Sequence, residues 1–172
     1  MKSAIKFSVA FLMVGLLLIW SCSGTKKNTT TSDDFPGTES DSLVAYLEKS
    51  PCFGRCPTFT FSVYRSGYVV YDGKTNVPNI GKYYSWLTHQ QLVDMGKKAE
   101  EAGFFELNDE YRNLHLTDFP TIYIEIRYRG KKKKITHYDA NPPANLVMME
   151  NYLDTLSSQV TNWNLHPVQE NK

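Results

Sequence analysis

The 172 residues contain no Gly-x-Ser-x-Gly elbow, no phosphate-binding P-loop and no dinucleotide fingerprint. Esterase-type, nucleotide-hydrolysing and Rossmann-type chemistry therefore have no motif to stand on. Charge of one sign is missing too: 19 Lys+Arg stand against 18 Asp+Glu, a formal net charge of +1. A near-neutral chain has no overall pull toward nucleic acid. The histidines number four, His89, His115, His137 and His166, and no two share a short metal-ligand spacing. They read as surface histidines. The carboxylates Asp109, Glu110 and Asp118 fall near loops, where spacing defines no acid–base pair. These histidines and carboxylates imply no metal or cofactor. Cysteine is scarce at three residues, which makes the position of each informative.

What is present supports a globular core: 41% hydrophobic and 13% aromatic residues, with tyrosine the commonest aromatic. The chain opens on Lys2 and Lys6, followed by an apolar run from Phe7 to Trp20. That run is shorter than the ~20 residues a spanning helix needs, and it reads as the core of a secretory signal over residues 1–21. Residues 22–41 are small and polar, with Thr29-Thr30-Thr31, Asp33-Asp34 and Pro36-Gly37, and predict a disordered tether.

Residues 42–165 predict one α+β domain. Strands are expected over 42–48, over 58–64 with Phe59, Phe61 and Val63 facing one side, over 68–71 and over 82–86. Arg65-Ser66-Gly67 turns the first hairpin. Thr88 and Gln91 form a capping box for a helix whose narrow apolar face is Leu92, Met95, Ala99 and Ala102, stopped at Gly103. The strand over 121–129 points Ile122, Ile124, Ile126 and Tyr128 one way. After Gly130 it returns over 132–138. The Lys131–Lys134 run covers a hairpin tip and an exposed edge. A last helix is expected with Asn141 as N-cap and Pro142 in its first turn. Its stripe is Leu146, Met149, Leu153, Leu156, Val160 and Trp163. The sum is a mostly antiparallel sheet of about five or six strands, with two helices on one face and a frayed tail at 166–172.

Two stretches carry resemblances. Ile19-Trp20-Ser21-Cys22 resembles the lipobox of bacterial lipoproteins, with Trp20 bulkier than usual at its position. The resemblance implies that Cys22 is lipidated and that the membrane, through this anchor, is the first partner. Ser23 in place of an aspartate implies sorting to the outer membrane. Cys52 and Cys56, within Pro51-Cys52-Phe53-Gly54-Arg55-Cys56-Pro57, are the two cysteines left over. In an oxidising compartment they predict a disulfide closing a small turn. Cys-x-x-x-Cys-Pro also resembles the copper-binding stretch of Sco-type chaperones. That resemblance implies thiol-redox or copper handling, although here the motif runs into a strand and not a helix. Arg55 beside the thiols and Asp118 before the Thr121 strand are candidate binding residues. Tyr64, Tyr68, Tyr83 and Tyr123 are candidates for an aromatic surface.

From Pro51 onward the chain is similar to a family of bacterial lipoprotein domains of unknown function. The matching features are the cysteine motif, the hairpin with Gly67, Tyr71 and Gly73, Asp118-Phe119-Pro120, and the closing helix to Trp163. The resemblance implies no activity. Two expectations follow. The first is a non-enzymatic, envelope-associated binding domain for an envelope protein or small ligand. The alternative is redox or copper chemistry at Cys52 and Cys56.

Overall fold

The computed structural model describes residues 41–165. The signal segment, Cys22, most of the tether, His166 and the tail lie outside these residues. Eight strands form one sheet: β1 (Leu43–Lys49), β2 (Thr58–Tyr64), β3 (Tyr68–Thr75), β4 (Gly81–Trp86), β5 (Glu110–Arg112), β6 (Ile122–Tyr128), β7 (Lys131–Tyr138) and β8 (Asn164–Leu165). Their order is β5-β7-β6-β1-β2-β3-β4-β8, and every pairing is antiparallel except β5 with β7. Helices α1 (His89–Glu101) and α2 (Ala144–Gln159) and a 3₁₀ turn at Phe104–Glu106 complete the described fold.

The expectation of five or six strands is corrected to eight. The two additions, β5 and β8, have three and two residues. Strands that short carry no alternation to read. They form because neighbouring edges offer unpaired backbone groups.

Alternation places Phe59, Phe61, Val63, Val69, Ile124, Ile126, Tyr128 and Ile135 on one face, all buried. Both helices lie over that face. The α1 capping box forms as expected: Thr88 Oγ1 accepts from Gln91 N–H, and the Gln91 side chain accepts from Thr88 N–H. Gly103, at φ 65°, ends the helix. Its buried face is broader than expected, adding Val93 and Gly96. Gly96 is where α1 touches β6. A Cβ there would overlap the Tyr128 ring, so the helix can lie this close only on a glycine.

The second helix begins later than its sequence suggests. Pro143 pushes Pro142 out of the helical region, so no helix starts there. Asp139 Oδ1 accepts from Asn141 N–H in a preceding turn, and Pro143 takes the cap position with φ −57° and ψ 140°. Asn141 is therefore not the N-cap. The stripe holds through Leu146, Met149, Leu153 and Leu156, all buried. The helix ends at Gln159, so Trp163 sits beyond it and not on its stripe.

The lysine run lies as expected. β5 pairs only with Thr136 to Tyr138, leaving the lysine half of β7 without a strand beside it on that edge. Lys131, Lys132 and Lys133 are engaged by Glu100, Glu125 and Asp109.

Candidate functional site

Helix α2 crosses one end of the sheet, and its contacts trace the path. Glu150 meets His137 at the end of β7. Asp154 meets Lys49 at the end of β1. Trp163, just past the helix, packs on Tyr71 of β3 with ring centroids 5.8 Å apart. The same end of the sheet carries the cysteine loop between β1 and β2 and the connection between β3 and β4.

Cys52 and Cys56 stand at disulfide-bonding distance, with Cα atoms 5.7 Å apart. Their loop is tied down on both sides. Ser50 N–H donates to the Thr121 carbonyl, and Ser50 Oγ accepts from Thr121 N–H. Asn76 Nδ2 donates to the Cys56 carbonyl at 3.1 Å. Phe53, at the tip, is 88% exposed. Arg55 is exposed on this loop and Asp118 on the loop before Thr121, where it takes φ 70°. The structure does not pair them with each other: neither makes a hydrogen bond or ion pair among the described residues.

Between these pieces lies a cleft of about 290 Å³. Pro57 and residues 76–79 form one wall, and Asp154, Ser157, Ser158 and Val160 form the other. Phe59, Tyr71 and Trp163 form an aromatic floor. The 76–79 wall is held tightly against the sheet. A Cβ on Gly73 would overlap the Asn79 carbonyl and the Val77 side chain.

Tyr71 is the central residue of this cleft. Its ring is only 8% exposed and stacks on Phe59 at 5.3 Å. Its hydroxyl has no hydrogen-bond partner among the described residues. Yet no fully buried side-chain polar atom in that set lacks a partner, so the hydroxyl is open to solvent through the cleft. Burial, then the nearby Asp154 charge, pushes its pKa up to about 12, and like any tyrosine hydroxyl well below its pKa it is a neutral O–H donor at neutral pH. Asp154 is neutralised by Lys49, whose ammonium also lies 5.7 Å from the Phe59 ring centroid.

A second depression of about 370 Å³ lies beside Ser85, Thr88 and Thr161. There the Ser85 hydroxyl already donates to the Thr161 carbonyl. Its other donors, among them Gln91 and Trp86, stand on half-buried or exposed side chains and not on a buried one.

The histidine expectation is corrected at one position. His89 and His115 are exposed, but His137 is buried. Its Nδ1 lies 2.8 Å from Glu150 Oε1 and its Nε2 lies 2.9 Å from the Asp139 carbonyl. With Glu150 ionised, both partners are acceptors, so the ring satisfies them only as imidazolium. Burial lowers the His137 pKa, and the hydrogen bonds and charges of Glu150 and Asp139 together outweigh it, leaving the value raised. The signal for this pair was Glu150 itself, a carboxylate beside Met149 and Leu153 on an apolar stripe.

The tyrosines divide. Tyr64 and Tyr68 pack together at 5.8 Å, and Tyr68 packs on Tyr84 and Trp86, all on the face away from the helices. Tyr123 shares that face by alternation. Tyr83 does not: it lies on the helix side, donating to the Ile80 carbonyl. Sequence reasoning missed Tyr71, Asp154 and Trp163 as one group, because they lie on three separate elements.

Among the described residues, no three metal-binding side chains gather, and no helix is long and apolar enough to cross a membrane. No curated protein matches the chain. Residues 44–157 match the family model described as a domain of unknown function, DUF6438. The match runs from β1 through most of α2, and takes in the cysteine loop, Tyr71, His137, Glu150 and Asp154. The chain therefore belongs to the DUF6438 family.

Proposed function

We propose that this is a lipid-anchored envelope protein whose domain binds a ligand, without turnover, in the cleft over Tyr71. The carrying observation is the Tyr71 hydroxyl, set on a nine-tenths buried side chain, without a hydrogen-bond partner among the described residues, and open to the cleft. Small-molecule sites are concave and largely apolar with a few placed polar groups, and this cleft has that composition. The anchoring half of the reading rests on Ser21-Cys22 after the apolar leader and on the polar stretch that follows. The outer membrane is its expected location. Nucleic acid is not the expected partner, since Lys131, Lys132 and Lys133 are engaged by acidic neighbours.

The test is co-purification of the full-length protein from the bacterial envelope, with proteins and small molecules both identified. Ser158→Trp, at an exposed wall position, should block the cleft and deplete the bound component. An identical set of components with both proteins contradicts the reading.

A second reading keeps the cysteines as a thiol-redox pair. Exposure favours it: the loop around Cys52 and Cys56 projects into solvent at Phe53. Copper handling would need a further donor, and no such cluster forms among the described residues. A disulfide that resists a glutathione buffer contradicts this second reading.

A further inference from the structure

The composition of the cleft narrows what fits it. At about 290 Å³ it is at the small end of ligand sites, the size for one ring and not an extended chain. Its floor is aromatic and its rim is polar, so a guest must itself have an apolar face and a polar edge. The polar groups are of mixed type. Tyr71 offers a hydroxyl with no hydrogen-bond partner among the described residues. Asp154 gives Oδ2 to Lys49 and has Oδ1 without a hydrogen-bond partner among the described residues. Asn76 uses its amide N–H on the Cys56 carbonyl, leaving its own carbonyl as an acceptor. Ser158 donates to the Thr155 carbonyl and can still accept.

Charge narrows the class further. Asp154 and Lys49 cancel, so the site gives no net attraction to an anion or a cation. An anionic guest would set its charge against Asp154. A cationic one would compete with a lysine already in place, whose side chain is only 15% exposed. A flat aromatic guest without polar substituents would cover the floor but leave the hydroxyl and carboxylate unpaired, at a desolvation cost.

We infer that the cleft binds a neutral pyranose ring, its C–H face on the aromatic floor and its hydroxyls on Tyr71 and Asp154. This rests on the reading of the cleft as the binding site and adds the class of ligand. A pyranose meets each requirement. One face presents C–H groups to Trp163, the most accessible ring of the floor, since Phe59 is 3% exposed and already covered by Tyr71 and Lys49. Its ring of hydroxyls donates to Asp154 Oδ1 and the Asn76 carbonyl, and accepts from the Tyr71 hydroxyl.

The experiment uses the full-length protein in detergent. Methyl glucoside, methyl galactoside and N-acetylglucosamine are titrated, and tryptophan emission is followed. Trp163 lies in the cleft, and Trp163→Phe identifies its share of the signal. The expected result is a saturable change for at least one neutral pyranoside and a weaker one for glucuronate. Tyr71→Phe keeps the ring stack and should weaken binding by about two- to tenfold, one neutral hydrogen bond. Circular dichroism checks that the variant is folded. The inference is overturned if no neutral pyranoside changes the Trp163 signal at millimolar concentration. It is also overturned if Tyr71→Phe binds as well as the wild type. If the sugars fail while Ser158→Trp still depletes an envelope component, the ligand class is wrong and the cleft reading stands. If both fail, the cleft is not the site.

Discussion

At the scale of residues, His137 and Glu150 form a side-chain pair buried on both sides. Both side chains are almost fully enclosed, at 10% and 4% exposure. Removing one partner from a buried pair leaves an uncompensated charge, so Glu150→Ala should cost about 3–5 kcal/mol in chemical denaturation. The pair also fixes the direction of a pH effect. His137 holds its proton more tightly when folded than at its ordinary value of 6.5. Its contribution is fully present below that value and is lost as pH rises through the raised folded pKa. Denaturation at pH 6 and at pH 9 should therefore show the wild type losing stability on the alkaline side. Glu150→Ala should lack this component. Gly96 gives a second test with opposing expectations. Helix propensity alone would make Gly96→Ala stabilising by about 1 kcal/mol. Overlap with Tyr128 should reverse the sign, to a loss of about 1–3 kcal/mol by thermal melting. Gly96 announced nothing in the sequence, and Glu150 offered only its place beside an apolar stripe. A glycine inside a helical pattern and a glutamate near an apolar stripe acquire meaning only from the strand packed against them.

Among the elements, α2 organises the cleft end of the sheet. One helix reaches His137, Lys49 and the cleft in turn, because Glu150, Asp154 and Ser157 follow at steps of four and three. The apolar stripe and the α1 capping box were legible, since both rest on local periodicity and local hydrogen bonds. The start of α2 was misplaced because Asn-Pro resembles a cap, while the following Pro143 forbids a helical Pro142. Strands β5 and β8 were missed because their pairing is set by distant neighbours. The cysteine loop was legible as a small turn with its two cysteines within disulfide distance, but not as one side of a cleft. Its bridge closes a very short loop, so Cys56→Ser should lower stability by only about 2 kcal/mol or less in the chain-entropy account. Denaturation with and without reductant measures this. A much larger loss would show that the bridge holds more than the turn and the Asn76 contact.

For the whole molecule, the account joins an anchor to a binding domain. Cys22→Ala should release the protein from membranes into the soluble fraction, and unchanged fractionation would defeat the anchoring half. The fold class was readable because six strands and two helices each span enough residues for their periods to appear. The cleft was not, because Phe59, Tyr71, Asp154 and Trp163 meet only through the path of α2 over the sheet. The proposed ligand sits at one end of the sheet and not on α1. Photo-crosslinking of the full-length protein in living cells tests this most directly. A photoreactive residue is placed at Ser158 on the cleft wall or at exposed Lys97 on α1. The prediction is a discrete adduct from position 158 that position 97 does not give. No adduct at 158, or the same adducts from both positions, would contradict the cleft as the binding site.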